Sequence, residues 1–246
     1  MNALPTRKSE DWRYSDVAAA ATVWPVAVPE QITVASGAHA AQHLLQQSDG
    51  VVIRDYVIDI AEGGSFDFHL LNIGGALGRV TFDVTLHRGA RFDLKAAIIG
   101  GGEQTLEVVT TVRHIEPEAV SRQTVRSVLA GHATGSYLGK VAVSRGAQQT
   151  DSVQSVKAML LDRTATANAK PELEIFADDV KCAHGATVGE LDKVALFYCA
   201  ARGLDPATAQ RLLLQAFIAG LFDDMADETD RERFEAAALG KMEALA

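Results

Sequence analysis

The chain has 246 residues, enough for one large domain or two small ones, and its 48% hydrophobic and 22% charged content is that of an ordinary globular protein. A formal net charge of −9 argues against a nucleic-acid partner, which needs a basic face to neutralise phosphates. No window is apolar enough to span a membrane, the start MNALPTRKSEDW has no apolar signal region, and two cysteines make no disulfide framework, so a cytoplasmic chain with reduced thiols is expected.

In chain order, SEDWRYSDVAAAA opens a short helix capped by Ser9 or Ser15, with Trp12 and Tyr14 docking onto the body. VWPVAVP is extended and punctuated by proline. GAHAAQHLLQQSDG, between Gly37 and Gly50, reads as one short amphipathic helix. From Val51 to about Val180 the hydrophobic period becomes two. Val80, Phe82, Val84 and Leu86 share a face, as do Phe92, Leu94, Ala96 and Ile98; Leu106, Val108, Thr110 and Val112; and Tyr137, Gly139, Val141 and Val143. Glycines mark the turns between these runs.

A weak repeat runs through IAEGGSFDF, LHRGARFDL, IEPEAVSRQ and VSRGAQQTD, aligning Ser65, Ala90, Ala119 and Ala147 at spacings of 25, 29 and 28 residues. A strand–turn–strand unit of that length suggests a β-solenoid whose coils stack on one another. A sandwich or jelly roll is the competing all-β architecture.

After Asp192 the period returns to that of a helix. Asp192 caps a helix through KVALFYCAAR that stops at Gly203, and Asp205 caps the next, with Pro206 in its first turn. The second helix has an apolar face of Ala209, Leu212, Leu213, Ala216, Phe217, Gly220 and Leu221, and Cys199 on the helix before it is a packing residue. A third, more charged helix runs from about Glu228 to Leu245, and the acidic stretch FDDMADETDRERFE reads as a solvated face.

Nucleotide signatures are missing. GSYLGK at 135–140 is one residue short of a P-loop and lacks the Ser or Thr for magnesium, while IGGGE at 99–103 reads as a turn. There is no nucleophile elbow, no paired-histidine zinc motif and no C-x-x-C. His69, His87, His114 and His132 lie in β-patterned sequence and read as surface or structural residues, and Asp178–Asp179 as a charged edge or turn. Cys182 and His184 differ. In an extended DVKCAH they point to the same face, and a thiolate beside an imidazole suits zinc, iron or an iron–sulfur species. Two ligands do not complete a tetrahedral site, so others would come from elsewhere in the chain or another subunit. A nucleophile–base pair and two packed core residues are the alternatives.

The run RGAQQTDSVQSVKAMLLD, followed by KPELEIFADDVKCAHGATVGELDKVALFYCAARGLDPATAQRLLLQAFIAGLF, resembles the C-terminal half of the SufB/SufD family of iron–sulfur cluster assembly proteins. The similarity is strongest over about residues 136–224, SEDWRYSD resembles that family's N-terminal element, and His184-Gly185-Ala186 is similar to the SufD type. The resemblance implies a mainly β protein with a right-handed parallel β-helix core at 49–188. A 1–48 extension with a short helix would precede the core, and a 189–246 helical segment would dock the ATPase SufC. It implies a non-enzymatic scaffold that pairs with a SufB-like subunit and leaves ATP hydrolysis to SufC, with no stably bound cofactor of its own. A transient iron–sulfur cluster would be shared with SufB. Position by position, His184 becomes a candidate cluster ligand at the SufB interface, Cys182 a nearby cysteine, and Leu212, Phe217 and Leu221 candidates for partner binding. The chain is much shorter than usual for the SufD type, and residues 1–48 are expected to cover the first coil. A carbohydrate-active β-helix enzyme and a self-associating structural solenoid are the other functional readings, and a homodimer in isolation is compatible with the scaffold.

Overall fold

A computed structural model describes residues 4–245. Twelve strands are formed among the described residues, two of them ahead of the β-patterned region: β1 (Glu30–Val34), β2 (His39–Gln46), β3 (Val51–Ile60), β4 (Ser65–Asn72), β5 (Leu77–Leu86), β6 (Arg91–Gly100), β7 (Thr105–His114), β8 (Val120–Leu129), β9 (Thr134–Val143), β10 (Thr150–Leu160), β11 (Thr166–Ile175) and β12 (Val180–Glu190). They alternate between two parallel six-stranded sheets, ordered β1-β3-β5-β7-β9-β11 and β12-β10-β8-β6-β4-β2. Each successive pair of strands is therefore one coil of a solenoid stacked on the last. The four predicted inward columns are buried as expected, from Val80 to Leu86, Phe92 to Ile98, Leu106 to Val112 and Tyr137 to Val143.

The segment read as a helix between Gly37 and Gly50 is instead strand β2, paired along its length with β4 from His39↔Ser65 to Gln46↔Asn72. Isolated propensity favours a helix in HAAQHLLQ, but pairing with a buried neighbour decides the outcome. The first coil, β1 with β2, is thus built by residues expected to cover it.

One set of turns explains the repeat and corrects its alignment. Gly37, Gly63, Gly89, Glu118 and Gln149 all have positive φ. Their N–H groups donate to the carbonyls of Glu62, Arg88, Pro117, Gln148 and Asp179, each one coil on. The left-handed turn recurs after 26, 26, 29 and 31 residues. Glycine takes that conformation without strain in the early coils, whereas Glu118 and Gln149 adopt it at some cost. The following position holds Ala38, Gly64, Ala90, Ala119 and Thr150, so Ala90 and Ala119 are equivalent while Ser65 and Ala147 are each out of register.

Helices cover the outer faces. The second sheet is packed by α3 (Pro206–Ile218) and α4 (Glu228–Glu243), whose Leu214, Ile218, Phe234, Ala238 and Met242 join Leu71, Ala97, Ile99 and Val128 in one cluster. The buried face of α3 is Ala209, Leu214 and Ile218; Leu212 and Ala216, expected on it, point to solvent. The acidic stretch before and within α4 is more than a solvated face. Asp224 takes hydrogen bonds from His69 and Lys95, and Asp230 pairs with His43 at 3.1 Å, tying the helical segment to β2, β4 and β6. Burial lowers the His69 pKa despite its carboxylate neighbour, so the ring sits there neutral.

The N-terminal segment lies on the outer face of the first sheet. A 3₁₀ turn at Glu10–Trp12 precedes α1 (Val17–Ala21), which is capped by Asp16 rather than by Ser9 or Ser15. The Trp12 ring lies 4.0 Å from the guanidinium of Arg79, which makes a buried 2.6 Å ion pair with Glu107. Glu10 pairs with Lys170 on β11. The SEDW element therefore clasps β5 and β11 and covers a buried charge pair that would be costly if opened.

Candidate functional site

Both sheets end on an unpaired strand at the C-terminal end of the stack: β11 pairs only with β9, and β12 only with β10. Proline is tolerated at Pro171 because β11 is an edge strand. The register Ser152↔Cys182, Gln154↔His184, Val156↔Ala186 extends the buried column of β10 into β12. Cys182 and His184 thus share the inward-facing side of the last coil, roughly 7 Å apart along the strand. The same-face expectation holds.

With no further coil above them, these inward positions are uncovered. His184 is exposed, while Cys182 is half-buried and packs against the core. Burial raises the thiol pKa, partly opposed by a backbone hydrogen bond at Ser152, so Cys182 is no activated nucleophile. Among the described residues no group of three or more His, Cys, Asp or Glu is arranged to hold a metal. Cys182 and His184 are two donors, and a tetrahedral site takes four.

Beneath this end the solenoid interior turns polar. Thr110 and Tyr137 both donate to the Oε1 of Gln123, at 2.6 and 3.0 Å, and the Nε2 of Gln154 donates to the Tyr137 hydroxyl at 2.9 Å. All four side chains are buried. Burial pushes the Tyr137 phenol up to about 12, so it remains a donor. A Cβ at Gly139 would collide with the Tyr137 hydroxyl and with Nε2 of Gln154, so glycine in mid-strand makes room for that bond. A second chain runs from His114 Nε2 to Ser121 at 2.9 Å and on to Ser152 at 2.8 Å, directly below Cys182. Thr110, Tyr137, Gly139 and His114 were placed by the sequence, but Ser121, Gln123, Ser152 and Gln154 escaped it. The available signal was parity: Ser152 and Gln154 fall on the same side of β10 as Val156 and Ala158.

The four histidines of the β-patterned sequence do not converge on one another, although the His69 ring lies 5.3 Å from that of His43. His69 faces the C-terminal helices, His87 pairs with Asp59 and Glu116, His114 is sealed inside and His132 lies exposed in a turn. Asp178–Asp179 form the bend before β12.

The helical segment carries a separate apolar surface. Asp192 caps α2 (Lys193–Ala201) and Asp205 caps α3, as the sequence indicates. No α2 residue is buried, and Val194, Phe197 and Tyr198 stand out with Leu212 as exposed large hydrophobics. Cys199 is only half-buried. Of the three residues singled out for partner binding, Leu212 is exposed, Phe217 partly buried and Leu221 buried against the sheet. A groove of about 520 Å³ between α3 and α4 is lined by Ile218, Phe222, Leu239 and Met242 with Asp223, Glu232 and Glu235, and by no residue of the last coil. Among the described residues no helix is long and apolar enough to cross a membrane.

Residues 23–217 match the family described as SUF system FeS cluster assembly, SufBD core domain. The chain belongs to the SufB/SufD family. It is 28% identical to the iron–sulfur cluster assembly protein SufD of Escherichia coli over 201 residues, covering 80% of this chain and 47% of the relative. It is 39% identical over 150 residues to the chloroplastic protein ABCI7 of Arabidopsis thaliana, covering 60% of this chain and 31% of that one. A SufBD family protein of Synechocystis is 32% identical over 169 residues, covering 68% of this chain and 37% of the relative. The chain spans less than half the length of each of these relatives. Its iron–sulfur assembly family and its β-solenoid core agree with the resemblance read from ADDVKCAHGATVG.

Proposed function

We propose that this SufB/SufD-family chain is a SufD-like, non-catalytic, cytoplasmic scaffold subunit that pairs with a SufB-like subunit and docks a SufC-like ATPase. The observation that carries this reading is the open C-terminal coil, where β11 and β12 offer free strand edges and His184 lies exposed between them. Such edges are templates for pairing with another chain, and a partner's strands would both satisfy them and bring donors to His184. The nascent cluster is cargo of that shared seam, with His184 as a ligand and Cys182 beside it. The exposed residues of α2 and Leu212 support docking of the motor by the helical segment, with Val194, Phe197 and Tyr198 carrying more of the contact than Phe217 or Leu221.

The test is co-expression with SufB-like and SufC-like subunits. The three chains co-purify, and deletion of the residues after Asp192 releases the ATPase while the SufB-like partner stays bound. In the purified complex His184→Ala leaves all three subunits together and lowers cluster assembly several-fold. A complex that assembles clusters equally well with Ala at that position removes His184 from the ligand set.

A further inference from the structure

The polar chain beneath the last coil leaves a buried amide atom without a partner at each end, Nε2 of Gln123 and Oε1 of Gln154. Gln123 Oε1 accepts from both Thr110 and Tyr137, whose hydroxyls also lie 3.3 Å from each other. With its proton on Gln123, the Tyr137 oxygen accepts from Nε2 of Gln154. In this arrangement the Gln154 amide turns its Nε2 to the phenol. Its Oε1 is left buried, shielded from water and without a partner. Gln154 is fully buried, and its neighbour in the same inward column, toward the open end, is His184. Buried acceptors are seldom left unpaired, and the residue paired in register with this one is the uncovered His184.

We propose that Gln154 is a positioning residue for His184: its Oε1 takes the imidazole N–H, fixes one tautomer and turns the other ring nitrogen outward toward the seam. The inference rests on the reading of His184 as a cluster ligand for its purpose, but not for its geometry. Histidine ligands usually donate their second nitrogen to such an oxygen, which sets the tautomer and the ring plane. Here the amide is held by a relay that begins one coil below it at Thr110, so the orientation is built into the stack rather than supplied by the partner.

The experiment reads the tautomer of His184 in the isolated full-length chain, by long-range nitrogen–proton correlation of the labelled imidazole at alkaline pH, where an ordinary imidazole is neutral. In the unaltered chain one tautomer dominates beyond the free-imidazole ratio by about fivefold, the scale of one net hydrogen bond. Gln154→Leu removes that excess, and Gln154→Glu keeps it because a carboxylate still accepts. Tyr137→Phe frees the amide to rotate and gives an intermediate bias, which keeps the test available should the leucine variant not fold. In the complex with SufB-like and SufC-like subunits, Gln154→Leu lowers cluster assembly and Gln154→Glu restores it in part. Identical tautomer ratios in the unaltered chain and in folded Gln154→Leu overturn the proposal. A tautomer shift together with unimpaired assembly by His184→Ala would instead keep the positioning and remove the ligand role.

Discussion

The interior of the solenoid is made of two different materials. Around β3–β6 it is aromatic and aliphatic: Tyr56 stacks on Phe82, Phe68 meets both edge-on, and Ile58, Phe66, Val80, Phe92 and Leu94 fill the rest. Around β7–β10 the same inward columns mix aliphatic residues such as Leu106, Val108, Val125 and Val141 with Thr110, His114, Ser121, Gln123, Tyr137, Ser152 and Gln154. The first material stabilises without direction, since apolar burial is proportional to area and indifferent to orientation. The second gains little net stability, because each buried polar group only recovers what desolvation removed, but it fixes orientation. The early coils thus hold the stack together, while the late coils aim what is presented at its open end.

The contrast can be broken most severely in the apolar half. Phe68 is fully buried with three aromatic neighbours, and Phe68→Ala is expected to cost about 3–5 kcal/mol in denaturant unfolding. Tyr137→Phe in the polar half removes a hydroxyl and leaves the Gln154 amide unpaired, with an expected cost of about 1–3 kcal/mol. Equal losses would mean that the two halves are not energetically distinct.

Acid should find the polar half next. Burial holds the His114 pKa down to about 4 against 6.5 for the free side chain. As pH falls through 6.5 the unfolded chain binds a proton that the folded chain refuses. Stability is therefore lost progressively toward pH 4, by about 3 kcal/mol in total. His69, also lowered by burial, acts in the same sense. Asp93, raised by burial to about 6, opposes them, because the folded chain takes up its proton first. His114→Leu should flatten the acid limb of a plot of unfolding free energy against pH. An unchanged slope would move the acid sensitivity elsewhere.

A smaller effect separates the sheet from its helical cover. Burial alone would raise the Asp224 carboxyl, but hydrogen bonds from Lys95 and His69 outweigh it and hold it low. The group is half-exposed, so Asp224→Ala is expected to cost only about 1 kcal/mol after solvent screening. The loss should appear as faster amide exchange in α3 and α4 with the strands unchanged. Uniform loss of protection would show that the helices and the solenoid unfold as one unit.

How much of this was legible follows the same division. Strict alternation in RVTFDVTLHRGARFDLKAAI identifies the strands and their inward faces because a half-buried strand leaves no other pattern. The caps at Asp192 and Asp205 are local chemistry and were readable for that reason. Strand β2 was not, since HAAQHLLQ satisfies a helical period and only its neighbour β4 decides otherwise. The repeat slipped at Ala147 because coil length drifts from 26 to 31 residues as the turns lengthen, whereas at Ser65, between coils of equal length, it is simply one residue off. The pairing of Cys182 with His184 on one face was visible in KCAH, but that no coil follows is a property of the stack. Gln154 escaped because a glutamine in a strand looks like an outward residue until its parity is counted against Val156.

The least stability and the most binding should be lost at α2. Phe197 is 75% exposed and no residue of α2 is buried, so Phe197→Asp removes almost no buried area and should leave the unfolding free energy within about 0.5 kcal/mol of the parent. If the patch with Val194, Tyr198 and Leu212 is where the motor docks, the same change places a charge at the centre of an apolar contact, where truncation or charge typically costs 2 kcal/mol or more, roughly thirtyfold in affinity. Leu221→Ala should do the reverse, because Leu221 is buried against the second sheet: a measurable loss of stability with docking retained. Affinity measured by calorimetry alongside denaturant unfolding distinguishes the two. Were Phe197→Asp to bind the ATPase normally while Leu221→Ala released it, the contact would lie on the sheet-facing side of the helical segment, and docking would require those helices to lift.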